Sequence, residues 1–257
     1  MKRAIFGKAL SEMPFLDHLE ELRWRIIWSL AAVVVGTAIG YFLVERFDVL
    51  GLLIRPIDPF LVDSKLKYLN PIDPFIITLK LAVVVGLILA FPIVVYQVWT
   101  FLSPALTRRE HRVIVPSLYF GLLLFLAGVA LAYFAVLPLA LEFSMGFQQE
   151  SLEQSIVIGE YLSFTIKLLL AFGIVFELPI VILVLSVLGL VTPEFLRAQR
   201  RWAIVIITIG SALITPPDLV SQIMMMIPML FLYEVSIWLS ALVTRRRSEE
   251  PAAEGRA

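Results

Sequence analysis

Apolar residues in this chain come in long runs broken by short charged connections. A bilayer span needs about 20 mainly apolar residues rising ~1.5 Å each. Runs of that order occupy residues 26–44, 76–99, 113–137 and 161–190, and two shorter ones occupy 202–214 and 223–243, either side of the turn TPPDLVSQ. The pattern predicts an all-α integral membrane protein with six transmembrane helices, the last two of them short. The run at 202–214 reaches only about 20 Å, against a hydrocarbon core of ~30 Å. It is therefore either partly interfacial or placed where the membrane thins. Before the first span, residues 11–25 form an amphipathic lead-in: Phe15, Leu19, Leu22 and Ile26 share one helical face, and His18, Glu21 and Arg25 another. The connection 45–73 carries the prolines of RPIDPF and NPIDPF, which favour turns, and predicts a small structured cap. Residues 1–244 read as a single membrane domain and 245–257 as a disordered tail.

Composition agrees with that pattern: 60% of residues are hydrophobic and 16% charged, with mean hydropathy +0.93, too apolar for an ordinary soluble domain. The formal net charge of zero conceals segregation. Fifteen Lys and Arg fall in the first 25 residues, the second and fourth connections and the tail, against four in the remaining connections. By the positive-inside rule both termini are cytoplasmic. The chain has no cysteine, which excludes disulfides, thiolate nucleophiles and Cys-based metal sites. The first 25 residues lack the apolar core and cleavage site of a secretory signal, so the mature chain is expected to start here.

Enzymatic chemistry lacks its parts. HLEEL is not H-E-x-x-H, no G-x-S-x-G or P-loop occurs, and the two histidines, His18 and His111, both lie at the cytoplasmic edge. Placed charges remain. The lead-in is either an interfacial helix with an internal Glu21–Arg25 pair, contributing a few tenths of a kcal/mol, or a receptor surface whose acids Asp17, Glu20 and Glu21 await a basic ligand. In YQVWTFLSPALTRREHR, Ser103 and Pro104 are expected to open a helix, and Thr107 with Glu110 fits a capping box for the third span. The alternative for Glu110 is a guanidinium site, because a carboxylate near Phe101 and Trp99 suits bidentate pairing and stacking. Within the membrane, Glu177 in FGIVFELP sits ten residues from Lys167, about 15 Å along a helix and too far for a simple pair. An ionisable residue at such depth costs ~2.5–3.5 kcal/mol on insertion scales. Glu234 and Gln222 in the sixth run pose the same question, with polar glue between helices as the plain reading.

Taken together, FLDHLEELRWRII, FPIVVYQVWTFLSPALTRREHR, FGIVFELP, VTPEFLRAQRRW and ITPPDLVSQIMMMIPMLFLYE resemble, in order and over nearly the whole chain, the signature blocks of the TatC family, the multi-spanning receptor subunit of the twin-arginine protein translocase. The resemblance implies a concave bundle in the bacterial cytoplasmic membrane that binds Arg-Arg signal peptides of folded cargo, driven by the proton motive force. It implies Glu21 and Glu110 as the signal-peptide acids with Phe101 beside them, and His18, Arg23 and Arg25 as supporting motif residues. Glu177, Gln222 and Glu234 become intramembrane polar or partner contacts, and Pro216, Pro217 and Asp218 an outer turn near docked partners. Implied partners are signal peptides, TatA-type and TatB-type single-span subunits, other TatC copies and membrane lipid, with no nucleic acid, metal or cofactor. A proton-coupled small-molecule secondary transporter would also account for Glu177, but requires interrupted helices in matching halves. An intramembrane hydrolase would need a nucleophile and base, or a metal, at depth.

Overall fold

The computed structural model describes residues 13–61, 66–103, 108–146, 156–215 and 219–254, with side chains between 18 and 244 apart from 108–110, 112 and 113. Helix α1 runs unbroken from Met13 to Arg46. The lead-in is its first turns rather than a separate element, because no Gly or Pro interrupts the chain between Pro14, tolerated at the second position, and Gly36. Below, the end of the bundle holding the start of α1 is the near end, and the opposite one the far end.

At the far end the chain builds the expected cap. Asp48 adopts a left-handed conformation (φ 47°) and its carboxylate accepts the Gly51 amide at 3.1 Å, starting the short helix α2, Val49–Ile54. A 3₁₀ turn follows at Asp58–Phe60, and Ile57 ahead of it is fully buried. Lys67 then forms an isolated parallel bridge with Val157, its amide donating to the Ile156 carbonyl at 3.0 Å and its carbonyl accepting from Ile158 at 2.9 Å. Two hydroxyls complete the fastening: Tyr133 donates to the Leu52 carbonyl and Tyr161 to the Leu53 carbonyl, each at 2.6 Å.

Helix α3, Asp73–Leu102, returns to the near end. Ser103 caps it, donating its amide to the Trp99 carbonyl with its own backbone still right-handed helical, and the helix that Ser103 and Pro104 are expected to open would run into residues 104–107, outside the described ones. Thr107 and its capping box lie outside the described residues. Helix α4, Arg108–Leu131, passes through a π-helical turn at Ala132–Val136 into α5, Leu137–Gly146. Pro138 explains the widened turn: its ring would clash with the carbonyl four residues back, and the wider turn relieves the crowding.

The apolar run at 161–190 is two helices, α6 (Ile158–Phe176) and α7 (Leu178–Val187), divided at Glu177 because Pro179 has no amide for the i−4 bond. Short helix α8, Pro193–Ala198, is capped by Thr192, whose hydroxyl accepts the Phe195 amide. Then come α9, Arg200–Ile214, and α10, Leu219–Glu254. Helix α10 continues past residue 244, so the tail predicted as disordered begins as helix, in a stretch rich in the helix formers Arg, Glu and Ala. Among the described residues the architecture is helical apart from the one bridge. Five helical stretches are long and apolar enough to cross a membrane: His18–Arg46, Asp73–Leu102, Ile114–Gly146, Ile158–Val187 and Leu219–Thr244. At 15 residues, α9 reaches about 22 Å and falls short of that length.

The main core sits toward the far end, where Val44, Leu53, Ile57, Leu81, Leu137, Leu168, Phe172 and Met225 meet. A smaller cluster of Ile114, Ile180, Val184 and Val187 fills the near half. Helix α1 packs chiefly on α3, through small residues. A Cβ at Gly36 would lie 2.6 Å from the Gly86 carbonyl oxygen, one at Gly40 2.5 Å from the Ala82 oxygen, and one at Gly86 would strike the Thr37 backbone. Gly36-xxx-Gly40 against Ala82-xxx-Gly86 is the close backbone approach that holds helices together in lipid. Gly86→Ala should therefore destabilise the chain by about 1–3 kcal/mol, read as a lower thermal midpoint in detergent, whereas the exposed Val83→Ala should change it by no more than about 0.5 kcal/mol.

Candidate functional site

Four predicted residues converge at the near end of α1 and α3. His18, Glu21 and Arg25 lie on one face of α1 by their spacing. The His18 ring stacks on Phe101 of α3, with centroids 4.4 Å apart and planes 13° from parallel. Arg25 Nη2 donates to Glu21 Oε1 at 2.9 Å, and Nη1 to Gln97 Oε1 at 3.3 Å. His18 Nδ1 stands 3.9 Å from Glu21 Oε2, within ion-pair range but beyond a hydrogen bond. The register comes from the glycines: eleven residues separate Gly36 from Arg25, and eleven separate Gly86 from Gln97, on antiparallel helices. A part-exposed pair such as Glu21–Arg25 adds only about 0.3–0.5 kcal/mol to stability, so its effect is to orient the carboxylate.

The start of α4 joins this patch. Trp99 meets His111 edge to face, with centroids 5.1 Å apart, and His111 Nε2 lies 3.4 Å from Ser103 Oγ. Glu110 is the helical residue immediately before His111; its side chain, like that of Asp17, lies outside the described residues. Arg23 and Glu20 are exposed on α1. Sequence reasoning missed Gln97 as the second anchor of Arg25. Its signal was available as the lone amide in an aromatic run, one helical turn before Phe101, but the partner helix could not be read from it. The assembled patch presents an oriented carboxylate with one oxygen free of close donors among the described residues, flanked by aromatic faces, a setting suited to a planar cation.

Glu177 occupies a second place, at the break between α6 and α7. It fits because the facing residue of α4 is glycine: a Cβ at Gly121 would lie 2.8 Å from Glu177 Oε2. Its Oε1 is buried and meets no hydrogen-bond partner among the described residues. A third place is the α9–α10 pair. Gln222 donates from Nε2 to the Thr208 carbonyl at 3.0 Å, and the Thr208 hydroxyl contacts Met226 Sδ at 3.2 Å. Glu234 forms an ion pair with Arg200 at 2.8 Å, both side chains about half exposed, and so is engaged within the chain. The turn residues Pro216, Pro217 and Asp218 lie outside the described residues. Among the described residues, no three His, Asp or Glu side chains group as a metal site requires.

Comparison with known proteins places this geometry. Residues 17–228 match the family model described as Sec-independent protein translocase protein (TatC). The chain is 41% identical over 245 residues to the Sec-independent protein translocase protein TatC of Desulforapulum autotrophicum, covering 94% of this chain and 90% of that one. It is 42% identical over 239 residues to the protein of the same name from Aquifex aeolicus, with 92% and 98% covered. TatCy of Bacillus subtilis shares 33% identity over 252 residues, with 95% of each chain covered. A crystal structure of a twin arginine translocase receptor, TatC, superposes with a TM-score of 0.79 at 42% identity, covering 88% of this chain and 99% of that one.

The unpartnered oxygen of Glu177 carries a stability cost. Glu177→Met keeps the volume and removes a buried acceptor without a partner, so it should raise stability by about 1–3 kcal/mol, seen as a higher thermal midpoint in detergent. An unchanged or lower midpoint would show that the carboxylate is satisfied.

Proposed function

The chain belongs to the TatC family, a membrane receptor component of the Sec-independent protein translocase and not an enzyme, and from that premise we propose how its residues engage cargo. Glu21 on α1 and Glu110 on α4 each take one guanidinium of a consecutive Arg-Arg pair in the signal peptide of a folded cargo protein. Two acids on two helices suit two side chains on one extended peptide. The supporting observation is the placement of Glu21, whose Oε1 is held by Arg25 while Oε2, among the described residues, stays clear of any donor at hydrogen-bond distance. Phe101, with His18 stacked on it, offers the aromatic neighbour that a guanidinium prefers to an ammonium. Arg25 and Gln97 fix the carboxylate, and Arg23 stays on the exposed motif surface.

In this reading the protein crosses the bacterial cytoplasmic membrane six times, with α9 as a short fifth span and both termini in the cytoplasm. The charge asymmetry of the connections supports that orientation. Residues 1–244 act as one membrane domain. Glu177, resting on Gly121 at a helix break on the concave side, offers a polar contact to TatA-type or TatB-type single-span subunits, together with Gln222 and the turn 216–218. Glu234 is less available because Arg200 holds it. Other copies of the chain complete the complex, and the proton motive force drives transfer.

Binding of an Arg-Arg signal peptide and its Lys-Lys counterpart to the purified chain provides the test. Each charge-assisted contact contributes about 1.5–3 kcal/mol, so Glu21→Ala and Glu110→Ala should each weaken Arg-Arg binding by at least about tenfold. Lys-Lys should bind weakly throughout, having lost the planar fork. Equal binding of the two peptides, unaffected by either substitution, would move recognition to another subunit.

A further inference from the structure

At the α8–α9 junction Arg197, Ala198, Gln199, Arg200, Arg201 and Trp202 line an open concavity of about 640 Å³. Three guanidinium groups fall within five residues, and they are not equivalent. Arg200 is engaged by Glu234 at 2.8 Å. Arg197 and Arg201 are exposed, and neither guanidinium has an ion pair or hydrogen bond among the described residues. Two uncompensated cations beside a third that is already neutralised favour an anion over a zwitterion, whose ammonium they would repel.

Immediately after the arginines, α9 presents an apolar stripe. Trp202, Ile206, Ile209 and Leu213 follow a 4-3-4 spacing on one face and are 66%, 66%, 56% and 78% exposed. A free phosphate would have no use for that stripe, whereas an acyl chain would. On the six-span reading proposed above, α9 is the shortest span, about 22 Å against ~30 Å of hydrocarbon, so lipid headgroups beside it lie deeper than elsewhere. Arginines at one end of a short helix, with an exposed tryptophan at the same level, match a headgroup drawn down to that depth.

We propose that this concavity binds the phosphate of an anionic phospholipid through Arg197 and Arg201, with an acyl chain lying along the Trp202–Leu213 stripe. The lipid holds α9, which is too short to span a bilayer of ordinary thickness, at a fixed depth.

The full-length chain, delipidated in detergent, is titrated with phosphatidylglycerol or phosphatidylcholine, and retained lipid is counted by native mass spectrometry. Sidedness plays no part in that measurement, and Arg-Arg peptide binding followed on the same samples should not change. Phosphatidylglycerol should be retained several-fold better than phosphatidylcholine. Arg197→Gln with Arg201→Gln should reduce its retention at least fivefold while leaving the thermal midpoint in place. The charge-matched pair Arg245→Gln with Arg246→Gln should not reduce it, and Ile206→Ser with Ile209→Ser should. Millimolar inorganic phosphate should fail to displace the lipid. Equal loss in the 245/246 pair would overturn the site in favour of diffuse attraction. Displacement by inorganic phosphate would overturn the lipid in favour of a free anion, and equal retention of the two lipids would overturn the proposal outright.

Discussion

Water cannot drive two apolar helices together inside a bilayer, since lipid tails are as apolar as the side chains they would replace. What attaches α1 to the rest of the molecule is contact at van der Waals distance, made possible where Gly36 and Gly40 have no side chains to separate them from Ala82 and Gly86. The outward face of α1, with Trp28, Leu30, Val34 and Phe42 exposed, has no protein against it among the described residues. One seam therefore carries the helix, and the same seam sets the register of everything along it. Because the register is fixed at Gly36 and Gly86, Arg25 reaches Gln97 and His18 lies flat on Phe101 near the ends of both helices. The patch of His18, Glu21, Arg25 and Phe101 is a consequence of backbone packing more than two turns away.

Prolines do the second part of the positioning. Pro138 is accommodated by a π turn, and Pro179 by a clean break, and in each case the interruption serves a polar group. The π turn carries Tyr133, whose hydroxyl reaches the cap. The break carries Glu177, and Gly121 across from it leaves a space of matching size. An acid on an uninterrupted helix at that depth would face the same desolvation with less freedom in where its carboxylate points.

Much of this was legible in the sequence because hydrophobic length and loop charge are local properties. The apolar runs, the cap announced by paired prolines, and the blocks resembling a known family all reside in contiguous residues. The side chains that finish the patch do not. Gln97 acquires its meaning only from a helix paired with it by glycines, and Gly121 only from an acid far along the chain. Ser103 caps the end of α3, a role that Ser-Pro allows alongside the opening of a further helix and that only the continuity of α3 through Leu102 reveals. Glu234 in an apolar run poses the question of a partner, and Arg200 from another helix answers it. Glu177 was noticed because an ionisable residue in an apolar run is expensive wherever it points, which is a property of the run alone.

The bridge between Lys67 and Val157 and the two tyrosine hydroxyls make one end of the molecule a clasp. The larger core lies at that same end, and the opposite end holds the smaller apolar cluster and a few polar contacts. Thirty residues of α3 extend from the clasp, about 45 Å of rigid rod. Rotation about a fixed end displaces a rod in proportion to distance, so a tilt of only about 3° at the cap moves the tip at the near end by more than 2 Å, most of the length of a hydrogen bond. In this sense the cap is a hinge whose angle the opposite end magnifies, with the carboxylate of Glu21 carried on α1 beside the tip of α3.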